Sequence, residues 1–97
     1  MASVTAMAPD GRAVTVHEYA GDELGEDYAL ADIVANFALG RMDGDALVID
    51  RRQLRELETL AHGFSFDYPE GFVEMCLDIA RAAASLPGES LRFEADF

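Results

Sequence analysis

Ala46-Leu47-Val48-Ile49-Asp50-Arg51-Arg52-Gln53-Leu54-Arg55-Glu56-Leu57 holds the switch of period that decides the fold. Its first four residues are wholly apolar. Such a run is too short for a helix and reads as a buried strand. Asp50 then precedes apolar residues at helical spacing, Leu54, Leu57 and Ala61, with Phe64 expected on the same inner face. A short carboxylate there can accept a hydrogen bond from the backbone N–H three residues on, and Gln53 is placed to reach back, the pattern of a capping box. A buried strand thus runs directly into a capped helix, which Gly63 ends.

The chain downstream repeats the theme. Asp67 and Glu70 form a second start signal, with Pro69 in the first turn, where its missing N–H costs nothing. Phe72, Cys76, Ile79, Ala80 and Ala83 mark a helical stripe, widened by Val73 and Leu77 and closed by Pro87-Gly88. Leu91, Phe93 and Ala95 then alternate with Arg92, Glu94 and Asp96, the period of a half-buried strand.

Upstream, Met42-Asp43-Gly44-Asp45 reads as a turn. Leu30, Ile33, Val34 and Phe37 predict a helix over roughly 27–39, begun by Asp27 and stopped by Gly40. Residues 20–26 are an acidic loop, and 3–19 a β-hairpin around Pro9-Asp10-Gly11. In its second arm Val14 and Val16 are expected on one face, Thr15 and His17 on the other. The expected order is β-β-α-β-α-α-β. Three amphipathic helices and half-buried strands satisfy one another in a two-layer α+β sandwich, a small antiparallel or mixed sheet with helices packed on one face. At this length a single domain, 1–97, is expected.

Charge sets the functional expectations. The 97 residues hold 19 Asp and Glu, 7 arginines and no lysine, for a formal net charge of −12. With 51% apolar residues the chain has enough to build a core. A polyanion without a basic stripe is not expected to bind nucleic acid directly, nor an anionic membrane surface. Without lysine neither a P-loop lysine nor a Schiff base is possible. One cysteine, Cys76, excludes an internal disulfide and fits a cytoplasmic setting. No secretion signal or membrane-length apolar stretch is read.

No catalytic, cofactor or metal constellation is expected. Asp43, Asp45 and Asp50 lack the spacing of a calcium loop. Cys76 with His17 or His62 could form a nucleophile–base pair, but a thiol on an apolar stripe is expected to be core. There is no G-x-S-x-G elbow or phosphate-binding glycine loop. His62, near a helix end, suits the helix dipole.

The acids are instead segregated. Glu18, Asp22, Glu23, Glu26, Asp27 and Asp32 run without a base, and so do Asp67, Glu70, Glu74 and Asp78. The arginines Arg51, Arg52 and Arg55 lie between. Glu70, Glu74 and Asp78, spaced i, i+4, i+8, share a helix face at about 6 Å per step, close to the separation of neighbouring phosphates in a nucleic-acid strand. Like charges so placed weaken a helix, by a few tenths of a kcal/mol per pair. A basic partner would relieve that cost and be steered toward the surface. Glu70, Glu74, Asp78, Asp22, Glu23, Glu26 and Asp27 are therefore the expected partner-binding residues, and a basic, nucleic-acid-binding protein or nuclease the expected partner. Phage anti-defence and toxin-immunity proteins are of this kind, an analogy of charge and size. The alternatives are an acidic domain from a halophilic or GC-rich proteome with another binding role, or a small enzyme whose site is invisible in sequence. Phe66, Tyr68 and Phe97 leave a homodimer open.

Overall fold

A computed structural model describes residues 2–19 and 30–96. Strands β1 (Ala2–Met7) and β2 (Ala13–Tyr19) form the N-terminal hairpin. Helix α1 (Ala31–Phe37) leads to β3 (Arg41–Asp43) and β4 (Ala46–Asp50). Helices α2 (Arg51–Gly63) and α3 (Glu70–Arg81) follow, then a single 3-10 turn over Ala82–Ala84 and β5 (Ser90–Asp96). The expected α+β order is present, with one short strand added: β3, which turns the stretch read as a plain turn into a hairpin around Gly44.

The sheet is antiparallel throughout, in the order β2-β1-β5-β4-β3. The connection between β4 and β5 explains the sense of that pair. Two successive helices fold into an αα-hairpin, carrying the chain away and back, so β5 returns antiparallel beside β4. The N-terminal hairpin completes the sheet by pairing β1 with β5, Val4 opposite Ala95 and Ala6 opposite Phe93. Val4, Ala6, Leu47, Ile49, Leu91 and Phe93 project from one face and are buried. The helices cover them with Ile33, Leu54, Leu57, Ala61, Phe72, Met75, Cys76 and Ile79.

The strand-to-helix switch forms as its residues require. The Asp50 carboxylate accepts from the Gln53 N–H at 2.8 Å, and the Gln53 side chain closes the box by accepting from the Asp50 N–H. Gly40 is needed for another reason than stopping α1. The helix ends at Ala38, in the left-handed region at φ 56°, while Gly40, at φ +71°, lies so close to β4 that a Cβ would stand 2.8 Å from the Val48 carbonyl oxygen.

Several local expectations are corrected. Asp67 does not cap α3: Pro69 occupies the cap position and no side chain bonds there. Phe64 lies beyond the end of α2 and is 46% exposed, not part of its inner face. Met75, on the α3 stripe, is fully buried, and α3 ends at Arg81, ahead of Pro87.

The alternation of β2 fails for an instructive reason. Thr5 pairs with Thr15 but Val4 pairs with His17, so a β-bulge at Val16 shifts the phase by one residue. Past the bulge, faces exchange. His17 leaves the face it was expected to share with Thr15 and turns, with Val4, toward the helices. Only 4% of its side chain remains exposed.

Candidate functional site

The bulge builds the most distinctive polar site of the described residues. Helix α3 packs across β2, bringing Asp78 to His17, whose Nδ1 lies 2.7 Å from the carboxylate oxygen Oδ2. Around this pair an open cleft of about 400 Å³ is lined by Thr15, Val16, His17, Glu18, Glu74 and Asp78. Glu18 comes from the edge strand, and Glu74 lies one helical turn before Asp78. Three acidic residues from two elements therefore line one hollow that has no arginine in its lining.

A carboxylate holding one imidazole nitrogen is also the arrangement that orients a catalytic histidine. Here Nε2, the nitrogen that would act, is buried. The contact joins β2 to α3. Cys76 is no partner for it. The thiol is fully buried, and burial pushes its pKa up to about 12, away from the nucleophilic thiolate. Among the described residues no group of three or more His, Cys, Asp or Glu is arranged to hold a metal ion. No helix among them is long and apolar enough to cross a membrane.

Of the residues expected to bind a partner, Glu70 and Glu74 lie exposed on α3. Among the described residues no ion pair involves either of them or Glu18. Asp78, the third of the stripe, divides its role: its side chain is 36% exposed but one oxygen holds His17. Asp22, Glu23, Glu26 and Asp27, with the acidic loop, lie outside the described residues, as does Phe97; α1 starts at Ala31, with Leu30 and not Asp27 at its cap. Glu18 was one of many acids in the sequence. The signal that would single it out is the bulge, which no local pattern announces.

Arg51, Arg52 and Arg55 lie on α2, which packs on β4 while α3 packs on β2. Arg51 is not a free cation. Its Nε donates to the Gly88 carbonyl at 2.9 Å, Nη2 to Leu86 at 2.6 Å and Nη1 to Ala83. A second hollow of about 470 Å³, lined by Asp50, Arg51, Arg52, Gly88 and Glu89, lies beside it with mixed charge. Arg92, on the uncovered face of the sheet, bonds Asp43 at 2.6 Å and Glu94 at 3.3 Å. Its hydrogen bond and charge hold the Asp43 carboxyl below its ordinary value.

No family model, curated protein or solved structure matches the chain. The site is read from its own geometry.

Proposed function

We propose that this chain is an acidic interaction module that docks on a basic, nucleic-acid-binding protein or nuclease and covers its cationic surface as a nucleic acid would. The observation that carries the reading is that Glu18, Glu74 and Asp78 all line one arginine-free cleft, with Glu70 extending the row along α3. Carboxylates held together on a surface repel one another, and the repulsion adds to that of a chain at −12. An external cationic groove relieves both and is drawn in by the same field. In this reading the module has no catalytic step and needs no cofactor, contacts neither nucleic acid nor membrane itself, and works in the cytoplasm, where its single thiol stays reduced.

The test uses the acids that have no structural duty. Asp78 is left intact because it holds His17. The triple variant Glu18→Gln, Glu70→Gln, Glu74→Gln is compared with the parent for binding to an oligo-arginine peptide, and for displacing a short single-stranded DNA from it. The parent is expected to bind with affinity falling steeply as salt rises from about 50 to 200 mM. The variant should lose about tenfold or more in affinity while folding as well, or better by a few tenths of a kcal/mol. Equal binding by parent and variant would overturn the proposal.

A further inference from the structure

We propose that the loop between α2 and α3 carries an aromatic anchor, Phe66, which enters an apolar pocket rimmed by arginine or lysine on the protein partner; this rests on the reading of α3 as the docking face. Phe66 is 101% exposed and Phe64 46%. Single exposed apolar side chains are ordinary on a protein surface. What sets Phe66 apart is how it is held and what surrounds it.

The loop is fastened on both sides of Phe66. The Phe64 N–H donates to the Leu60 carbonyl at 2.9 Å, and the Asp67 N–H donates to the Phe64 carbonyl at 3.0 Å, closing a tight turn with Phe66 inside it. Tyr68 then packs on Phe37 and Phe72, with ring centroids 5.5 and 5.4 Å apart. Tyr68 thus packs against the core, and Phe66 is left displayed on a hydrogen-bonded turn. A turn whose backbone is already held loses little freedom there on binding, and exposed aromatic side chains dominate interface energetics when a polar rim surrounds them.

The surrounding charge selects the partner. Asp67 is exposed beside the anchor, and Glu70 opens the acidic row that continues to Glu74. No arginine or lysine occurs between Arg55 and Arg81. An apolar pocket that accepts Phe66 therefore meets carboxylates at its edge, and a cationic rim complements them. A second copy of this chain, at −12, would bring like charges together.

The probes are two synthetic peptides of equal positive charge, one an amphipathic helix of leucine and arginine, the other of glycine and arginine. The full chain, its Phe66→Ala and Phe66→Leu variants and the Glu70→Gln, Glu74→Gln double variant are titrated against each by fluorescence anisotropy. Phe66 touches no core residue, so its variants keep the fold, which circular dichroism verifies. The parent is expected to bind the leucine–arginine peptide about tenfold tighter than the glycine–arginine one. Phe66→Ala should abolish that difference and leave the glycine–arginine affinity unchanged, and Phe66→Leu should restore most of it. The double variant should weaken binding to both peptides. Unchanged leucine–arginine binding by Phe66→Ala overturns the anchor while leaving the acidic docking reading in place. Loss of binding by Phe66→Ala with no effect of the double variant overturns the cationic rim and counts against the acidic reading. A parent that dimerises in sedimentation, with the dimer lost in Phe66→Ala, makes the occupant a second copy and overturns the proposal.

Discussion

The two sides of the helical layer handle charge in opposite ways. At the start of α2, Arg51 turns inward and its guanidinium serves the carbonyls of Ala83, Leu86 and Gly88. Where α3 crosses β2, one carboxylate oxygen of Asp78 is used internally, on His17, while Glu18, Glu70 and Glu74 are left to solvent. The difference lies in what each side must close. The segment from the end of α3 to β5 leaves carbonyls without ladder partners, and buried or half-buried carbonyls need donors. A planar guanidinium supplies several from one side chain. At β2 one tie, His17 to Asp78, is made, and among the described residues Glu18, Glu70 and Glu74 take part in no ion pair.

The strongest test of this contrast removes the Arg51 fork. Arg51→Ala leaves three carbonyls without their donor and is expected to cost about 3 kcal/mol in urea unfolding. Arg51→Lys, which keeps the charge but not the fork, should lose most of the same amount. A loss under about 0.5 kcal/mol in both would mean that the loop is held by other contacts.

A smaller effect is expected at the opposite side. Asp78→Ala leaves His17 buried without its carboxylate and should cost about 1–2 kcal/mol, less than Arg51 because Asp78 is partly exposed and water can take its place. Asp78→Asn, which can still accept from the imidazole, should cost less. If both variants unfold with the parent, His17 and Asp78 do not tie β2 to α3.

The smallest effect belongs to the uncovered sheet face. Arg92 holds the Asp43 carboxyl below the ordinary value of 3.8, chiefly through their hydrogen bond. A lowered folded value means that any stabilisation is present above the ordinary carboxylate range and is lost as pH falls through the lower folded value. Asp43 is fully exposed, so its stability contribution is screened away. Arg92→Gln should raise the Asp43 titration midpoint toward 3.8, read by NMR, with no change in unfolding. A midpoint that stays put would show that the pair does not form in solution.

Much of this molecule was legible without coordinates, and the legible part was local. The Asp50–Gln53 box, the strand Ala46–Ile49 and the alternation of Leu91, Phe93 and Ala95 each depend on residues a few positions apart. The structure departs from local pattern in three places. At the helix ends the cap of α3 falls to Pro69 and not Asp67, and α2 ends before Phe64. Arg41–Asp43 pairs as a strand beside β4, which no periodicity of three residues can announce. Strict alternation puts His17 on one face with Thr15, but β2 carries an extra residue at Val16. Of the expected site, Glu70, Glu74 and Asp78 do share a helix face, as their spacing required. That Glu18 joins two of them, and that Asp78 is partly occupied by His17, depends on contacts about sixty positions apart in the chain.

The amino-acid sequence by itself determined the three helices, the strands other than β3, the α2 cap and the sign of the charge, because propensity, spacing and net charge act over one or two turns or over the whole chain. Tertiary structure alone decided that β1 lies beside β5, that a bulge at Val16 turns His17 inward, that Arg51 faces carbonyls, and which acidic residues line one cleft. Those outcomes follow from register and from long-range packing, where moving a strand by a single residue exchanges its faces and a distant carbonyl settles where a charge goes.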